Sequence, residues 1–257
     1  MNAPAAPVRW APQPITQWLR WAPHQWSLRI PRPDGFSFSP GHYAKLGLPV
    51  GEGGDIVWRP YSIVSAPHEA ELEFLITLVP DGQLTAPLAR LEPGQPVLFD
   101  PLALGFFIET QLAPGRTLWM LATGSGLGPY VSMLREGSVL QRYERLIVVH
   151  SVRSAAELAY GDELRACASR HTDQLRYLPV VTREAGASEL NRRMPEMVQD
   201  GSLEFAAGAA LDAREARVMV CGNPGFTADM RELLRERDFQ PCRRGLVGSM
   251  LFENYWQ

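Results

Sequence analysis

The sequence is poor in cysteine and lysine, and it carries no excess of positive charge. Its three cysteines, Cys167, Cys221 and Cys242, are far apart and include no Cys-x-x-Cys pair. This spacing excludes a disulfide framework and a four-thiolate iron–sulfur cluster, so any redox chemistry must use an organic cofactor or a metal held by other ligands. The formal net charge of −3 argues against general nucleic-acid binding.

Long apolar runs are also absent, and none approaches the roughly 18–20 residues that a membrane-spanning helix needs. The first ten residues lack the charged stretch followed by an apolar one that marks a secretory signal. We therefore expect a cytoplasmic protein that does not enter a membrane. Lys45 is the only lysine among 25 basic residues. This bias fits genomic composition, and it also fits phosphate recognition by the remaining arginines.

Residues 1–112 are rich in proline and glycine. Turn sequences such as Pro80-Asp-Gly82 separate short apolar runs at 25–30, 43–48, 56–64, 72–79 and 96–99. Short strands with closely spaced turns predict an antiparallel β-barrel or sandwich. The sequence also predicts a short helix at 84–91.

Residues 113–257 have a different rhythm. Continuous apolar runs, each typical of a strand buried on both faces, occur at 117–123, 146–150, 175–181 and 217–221. Helical sequence lies between them, and one helical face carries Phe226, Met230, Leu233 and Leu234. Strands that alternate with helices predict a parallel sheet built of βαβ units. The linker between the two predicted domains lies near Leu112-Ala-Pro-Gly115.

A glycine-rich turn, Thr123-Gly-Ser-Gly-Leu-Gly-Pro129, follows the first strand of the second half. Glycines let the backbone approach a ligand closely, and Pro129 suits the first turn of a helix. The amides at the start of that helix favour an anion such as a pyrophosphate. The spacing differs from the usual Gly-x-Gly-x-x-Gly dinucleotide fingerprint, so a turn of purely structural use remains the alternative.

Two segments of the first half carry groups that suit a flat, phosphate-bearing ligand. Arg59-Pro-Tyr-Ser62 offers an arginine for a phosphate, a tyrosine on the same face of the strand, and a serine hydroxyl that can donate to a ring nitrogen. Gly82-Gln-Leu-Thr85 opens the predicted short helix, which is a second potential pyrophosphate seat. A surface strand and ordinary core remain the alternatives for these segments.

Two further candidate segments lie towards the end of the sequence. Cys221-Gly-Asn-Pro224 closes the last strong strand, and ligands of open parallel sheets collect at the carboxyl ends of strands. A buried, inert cysteine is the alternative. Tyr255 and Trp256 are two aromatic residues near the end of the sequence, where chains tend to fray and an exposed tryptophan is costly. We therefore expect them to pack on protein or on a cofactor.

Taken in order, these motifs resemble the bacterial type of ferredoxin/flavodoxin–NADP⁺ reductase. The resemblance spans nearly the whole chain after the first dozen residues. It implies an antiparallel β-barrel FAD-binding domain at 1–112, followed by an α/β parallel-sheet NADP-binding domain at 113–257. It also implies a monomer that transfers electrons between NADPH and an acidic carrier, ferredoxin or flavodoxin.

The resemblance implies an FAD site built mainly by the first half. Arg59 would hold the pyrophosphate, Tyr61 would lie against the isoalloxazine, and Ser62 would lie near flavin N5. Pro60 stands where alanine is more usual, which removes one backbone donor. Further contacts to the flavin, its phosphates or its adenine are implied for Phe74, Leu75, Ile76, Thr77, Gly82, Gln83, Leu84, Thr85, Thr123 and Trp256.

The resemblance implies an NADP⁺ site in the second half. The pyrophosphate loop would use Gly124, Gly126 and Pro129, with Ser125 where threonine is commoner. The 2′-phosphate of the nucleotide would be bound by Arg153, Arg183 and Arg193. Arg153 follows the second strand of the predicted sheet, where an acidic residue would instead favour NAD. A bidentate arginine is the strong form of phosphate recognition.

The implied reaction is hydride transfer from NADPH to flavin N5, followed by single-electron transfer to the carrier. Cys221 and Gly222 would lie beside the nicotinamide, and Glu253 near the ring would manage protons. Tyr255 would cover the isoalloxazine and act as a gate. The catalytic group is therefore predicted to comprise Ser62, Cys221, Glu253 and Tyr255. Gln257 extends one residue past the aromatic pair.

Two other functions remain open at this stage. One is the reductase component of an oxygenase, or a flavin or ferric reductase of the same superfamily. The other is a non-catalytic sensor that binds FAD or a nucleotide and has no carrier partner. The Arg-x-Tyr-Ser set and the three arginines together favour an enzyme over a sensor.

Overall fold

The computed structural model describes residues 10–50 and 54–255. The first half forms two antiparallel sheets and one short helix, α1 (Thr85–Leu88). The sheets have the strand orders β1-β7-β4-β5 and β2-β3-β6. Their strands are β1 (Ala11–Pro14), β2 (Gln17–Ala22), β3 (Gln25–Pro31), β4 (Tyr43–Val50), β5 (Asp55–Ser62), β6 (Glu71–Thr77) and β7 (Pro96–Leu104).

The two antiparallel sheets enclose an apolar core. Successive side chains of a strand point to opposite faces, and β4 shows this alternation with Ala44, Leu46 and Leu48 buried. Phe74 and Phe99, from β6 and β7, are each at most 1% exposed in the same core. Burial of large side chains of this kind stabilises the fold by about 1.5–3 kcal/mol each.

The second half is a five-stranded parallel sheet, in the order β10-β9-β8-β11-β12, with helices between its strands. The strands are β8 (Thr117–Thr123), β9 (Arg145–Val152), β10 (Leu175–Val181), β11 (Ala216–Gly222) and β12 (Met250–Asn254). The helices are α2 (Gly128–Glu136), α3 (Ser138–Arg142), α4 (Gly161–Arg170), α5 (Met194–Gln199), α6 (Ser202–Ala207) and α7 (Pro224–Glu236). Across residues 10–50 and 54–255, no helix has the length and apolar character needed to cross a bilayer.

A buried polar network joins the two halves. Tyr160 donates its hydroxyl to Glu73 of β6 over 2.8 Å and lies 2.5 Å from the hydroxyl of Ser27 in β3. Arg135 of α2 donates to the same Glu73 carboxylate over 2.9 Å. Glu73 is only 1% exposed, and a buried carboxylate needs such partners because an unpaired one is costly.

The linker between the halves is held by one arginine. Arg217 is 8% exposed, and its guanidinium donates to the backbone carbonyls of Ala113 and Pro114. Burial lowers the pKa of Arg217 from its usual value. The carbonyl contacts satisfy the donors of this buried cation and fix the path of the chain between the sheets.

The predicted fold is confirmed, with three local corrections. The helix expected at 84–91 is wrong in length: α1 ends at Leu88, because Arg90 N–H bonds to Pro87 in a tighter turn. The strand expected at 96–99 continues to Leu104. The edge strands β1, β2 and β12 were not predicted. β1 contains two prolines, which a sheet tolerates at an edge.

Candidate active site

A cavity of about 730 Å³ opens at the carboxyl ends of the parallel strands. One wall is the turn between β2 and β3 together with Thr77 at the end of β6. The opposite wall is built by the residues that follow β8, β9 and β10 and by the start of α7. Open parallel sheets bind ligands at this edge, so the cavity lies where the fold predicts a site.

The glycine-rich turn contributes Gly124 and Ser125 to the cavity. Gly124 has a φ of +53°, a left-handed conformation that favours glycine. The Gly124 carbonyl is held over 3.0 Å by Nε2 of His150, which is fully buried and whose pKa burial lowers to about 4. The imidazole is therefore neutral at pH 7. It donates to the carbonyl, which helps to fix the turn.

Gly126 and Pro129 do not border the cavity. A Cβ atom on Gly126 would lie 2.3 Å from the carbonyl oxygen of Cys221. Gly126 therefore permits close packing between the turn and β11. Pro129 is buried in the first turn of α2, where its fixed φ suits the helix. Both residues therefore shape the backbone of the turn.

Three arginines from separate segments line the cavity together. Arg153 follows β9, Arg183 follows β10, and Arg193 directly precedes α5. All three are exposed. Within the described part of the chain, neither Arg153 nor Arg183 forms an ion pair, whereas Arg193 donates to Asp229 over 3.0 Å. The three arginines supply positive charge to a lining that also contains Glu157, and their guanidinium groups suit a phosphate.

Ser62, Glu253 and Tyr255 form a hydrogen-bonded chain, and Tyr255 borders the cavity. Tyr255 donates its hydroxyl to Ser62 Oγ over 2.7 Å, and Ser62 donates to Glu253 Oε2 over 3.1 Å. Cys221 Sγ lies 3.9 Å from the same Glu253 oxygen. The contact with Cys221 arises because β11 and β12 are paired in a register that sets Cys221 beside Glu253.

Burial controls the protonation of this cluster. It raises the pKa of Glu253 from 4.5 to about 7, and hydrogen bonds from Ser62 and Cys221 oppose the shift. Burial also raises the pKa of Cys221 and of Tyr255 well above their usual values. At neutral pH the thiol and the phenol therefore hold their protons, while the carboxyl group can gain or lose one.

The sequence places Cys221 and Gly222 beside a ligand, but both are buried in the structure. The Cys221 side chain is 0% exposed and does not border the cavity. Gly222 packs against Thr123, whose hydroxyl would lie 2.0 Å from a Cβ atom at that position. Tyr255 N–H donates to the Gly222 carbonyl over 2.9 Å. Tyr255 is therefore bonded directly to the segment that carries Cys221 and Gly222.

The Arg59 segment lies on β5, at the edge of its sheet. Arg59 is exposed and donates to Gln83 Oε1 over 3.3 Å, so two of the predicted FAD segments meet here. Pro60 pairs with Lys45 and is tolerated because the outer side of β5 has no strand partner. Burial raises the pKa of the Tyr61 phenol, which therefore stays protonated.

Several predicted FAD-lining residues face the core of the barrel. Phe74, Ile76 and Leu84 are at most 1% exposed in that core. Leu75 is 5% exposed and packs instead in an apolar cluster formed mainly by the second half. Only their backbone atoms are free to meet a cofactor. Thr77 borders the cavity and donates to Ser125 over 3.0 Å.

Three other predicted residues have defined neighbours in the structure. The Thr85 hydroxyl is occupied by the backbone of Val79, and Gly82 packs closely against Thr85. The Thr123 hydroxyl accepts from the backbone N–H of Asn223 over 3.2 Å. Trp256 lies outside the described residues.

Sequence reasoning missed several cavity residues. Phe226 was placed on the core face of a helix; it is 4% exposed and also borders the cavity. Asn223 caps α7 by accepting from Phe226 N–H over 2.9 Å and borders the cavity as well. The turn formed by residues 22–25 carries no local motif. It reaches the cavity because β3 pairs with the distant strand β6, which local sequence does not reveal. Only the site of Asn223, directly after a parallel strand, offered a signal.

Comparison with known proteins agrees with this architecture. Residues 21–101 match the family model of the oxidoreductase FAD-binding domain, and residues 120–232 match that of the oxidoreductase NAD-binding domain. The chain is 38% identical over 248 residues to flavodoxin/ferredoxin–NADP reductases of Escherichia coli (strain K12) and Shigella flexneri. Each alignment covers 96% of this chain and 99% of the relative.

A solved structure supports the same relationship. The crystal structure of a ferredoxin NADP⁺ reductase from Neisseria gonorrhoeae, with bound FAD and NADP, aligns with a TM-score of 0.90 at 32% sequence identity. The alignment covers 97% of this chain and 100% of that one. The identity and coverage of these relatives, together with the two-part fold, show that the chain belongs to the flavodoxin/ferredoxin–NADP reductase family.

Proposed function

We propose that the protein binds FAD and transfers electrons between NADPH and an acidic one-electron carrier, a ferredoxin or a flavodoxin. The observation that carries this proposal is the meeting of three arginines, from three separate segments, in the lining of one cavity that Tyr255 also borders. Tyr255 is hydrogen-bonded through Ser62 to Glu253. The family relationship supports the same conclusion.

The proposed FAD seat includes the edge of β5. Arg59 is exposed and donates to Gln83, so its guanidinium is positioned to donate hydrogen bonds to a pyrophosphate. Among the described residues no strand pairs with the outer side of β5, which leaves backbone groups available. Bound FAD supplies the conversion between the two-electron chemistry of NADPH and the one-electron chemistry of a carrier. Tyr61 and Ser62 orient the ring system in this proposal.

The proposed nucleotide site runs along the cavity. Arg153, Arg183 and Arg193 bind the 2′-phosphate, and the turn at Gly124 receives the pyrophosphate. Two of these arginines form no ion pair within residues 10–50 and 54–255, so their donors are available to a ligand. The nicotinamide end then lies towards Tyr255, which must be displaced before the reacting rings can meet.

The cluster of Ser62, Glu253, Cys221 and Tyr255 manages protons in this proposal. Glu253 is the member whose pKa, at about 7, allows it to exchange a proton at neutral pH. Ser62 links Glu253 to Tyr255 through two hydrogen bonds. Displacement of Tyr255 therefore also changes the hydrogen bonding of the group that holds the proton.

We further propose that the chain divides near residue 112 and that it works as a monomer in the cytoplasm. The antiparallel strands all precede residue 105 and the parallel strands all follow residue 116 within the described part of the chain. The three cysteines are free thiols, which suits a reducing compartment.

The test is an anaerobic titration of the purified protein with NADPH and, separately, with NADH, followed by visible absorbance. A yellow protein that NADPH bleaches far more readily than NADH is the expected result. Equal bleaching by both nucleotides would retain the flavin and reject the 2′-phosphate site. A colourless protein that FAD cannot reconstitute would reject the proposed function. Reduced protein that passes electrons to dyes but to neither carrier would reject the proposed partner.

A further inference from the structure

Arg193 differs from the other two arginines in how its side chain is held. Its guanidinium donates to Asp229 Oδ2 over 3.0 Å, while Arg153 and Arg183 form no ion pair within residues 10–50 and 54–255. A free arginine side chain has high rotamer entropy, which must be lost when it binds a phosphate. Arg193 has lost part of that freedom before any ligand arrives.

The contact leaves most of the guanidinium available. A single nitrogen of Arg193 donates to a single oxygen of Asp229, so the remaining donors of the fork stay free. Arg193 borders the cavity and Asp229 does not. The carboxylate therefore contacts the arginine without itself lining the cavity.

The two residues sit on elements that are fixed relative to the cavity. Arg193 has extended backbone directly before α5, whose first residues, Met194 and Pro195, also border the cavity. Asp229 lies on α7, one turn after Phe226, and Phe226 borders the cavity as well. The pair thus links α7, whose Phe226 borders the cavity, to the arginine that precedes α5.

The charge of Asp229 affects phosphate binding less than its hydrogen bond to Arg193 does. The Asp229 side chain is 46% exposed, so solvent screens its repulsion of a phosphate on the far side of Arg193. The hydrogen bond acts directly at 3.0 Å and needs only an acceptor atom. An asparagine oxygen can supply that acceptor without the charge.

We propose that Asp229 is a positioning residue that aims Arg193 at the 2′-phosphate and so contributes to the preference for NADPH over NADH. This inference rests on the proposed function of the cavity. Asp229 acts only through Arg193. It therefore affects the binding of the nucleotide and takes no part in hydride transfer.

The experiment measures kcat and KM for NADPH and for NADH in the FAD-loaded protein, with an artificial electron acceptor. For Asp229→Ala, the KM for NADPH is expected to rise about threefold to tenfold, the scale of one net hydrogen bond. The kcat with NADPH and the KM for NADH are expected to stay unchanged. Asp229→Asn, which keeps the acceptor, is expected to restore the KM for NADPH to near the wild-type value.

The neighbouring ion pair of Arg192 and Asp200 provides the matched control. It spans 2.7 Å, its side chains are 48% and 45% exposed, and neither residue borders the cavity. Asp200→Ala is expected to leave the preference between the nucleotides unchanged. An equal loss of preference in Asp200→Ala would overturn the proposal, because a general loss of surface charge would then explain it.

Arg193→Ala distinguishes the positioning role of Asp229 from the existence of the 2′-phosphate site. If it lowers the preference for NADPH while Asp229→Ala does not, the positioning role of Asp229 is overturned and the nucleotide site stands. If Arg193→Ala leaves the preference unchanged, the 2′-phosphate site itself is overturned. A lower KM for NADPH in Asp229→Asn than in the wild type would show that charge repulsion dominates, which also overturns the proposal.

Discussion

Glu253→Gln measures how much an ionised carboxylate in the cluster of Ser62, Glu253, Cys221 and Tyr255 lowers the free energy of unfolding. Glutamine keeps an oxygen that can accept from Ser62, which donates over 3.1 Å in the wild type, and it removes the charge. Burial raises the pKa of Glu253 from 4.5 to about 7. A shift of this size corresponds to at most about 3 kcal/mol of stability.

The sign follows from the direction of the shift. Because the native pKa is higher than the unfolded one, the folded protein binds this proton more tightly than the unfolded chain does. The associated stability is fully present below pH 4.5 and is lost as the pH rises to about 7. The wild type is therefore expected to lose stability relative to Glu253→Gln across that interval, and the difference is constant above it.

Urea unfolding of the flavin-free wild type and variant, at about pH 4.5 and about pH 8.5, measures the difference. Titrating groups that do not contact Glu253 contribute equally to both proteins, so they cancel when the two are compared at one pH. Cys221 and Tyr255 contact or adjoin Glu253, but burial, the largest cause, raises their pKa values in the folded state of both proteins. The stability of Glu253→Gln relative to the wild type is expected to be higher at the upper pH by at most about 3 kcal/mol. A relative stability that does not change between the two pH values would refute the burial argument.

Two further substitutions test packing and the network between the halves. Gly126→Ala is expected to cost about 1–3 kcal/mol and to lower the melting temperature, because the new Cβ would lie 2.3 Å from the Cys221 carbonyl oxygen. Gly225→Ala is its control, since the new Cβ there meets nothing closer than 3.4 Å; equal melting of both variants would contradict the reasoning. Tyr160→Phe is expected to cost about 1–3 kcal/mol in urea unfolding, because Glu73 and Ser27 both lose a buried partner. Tyr177→Phe is the control and is expected to leave the free energy of unfolding nearly unchanged, because among the described residues the Tyr177 hydroxyl has no partner. A larger loss of stability in Tyr177→Phe than in Tyr160→Phe would argue against the network.

The composition of the site was more predictable than its geometry. Arg153 and Arg183 follow strands of a parallel sheet, and the rule that ligands bind at carboxyl ends of such strands places them together. Their meeting with Arg193 at one cavity agrees with the expectation from the sequence. The partner of Arg193 was not predictable, because Asp229 is 36 residues away in the chain.

Other features depended on long-range pairing that local sequence does not encode. Phe226 satisfies helical periodicity whether it faces only the core or also a cavity. Gly126 was interpreted as a phosphate-loop glycine, yet its backbone packs on Cys221, which is distant in sequence. Glu73 and Tyr160 lie 87 residues apart and come from different halves. Such contacts follow from how the halves dock, which short motifs do not specify.

The position of β12 has a consequence for protein synthesis. Glu253 and Tyr255 complete a cluster that begins with Ser62, and 191 and 193 residues separate them from it. At about 5–20 residues per second, roughly 10–40 s pass between the synthesis of Ser62 and that of Tyr255. Until β12 is made, β11 is an open sheet edge that can pair with another chain. A nascent or truncated chain therefore acquires the first half long before Glu253 and Tyr255 can complete the cluster with Ser62.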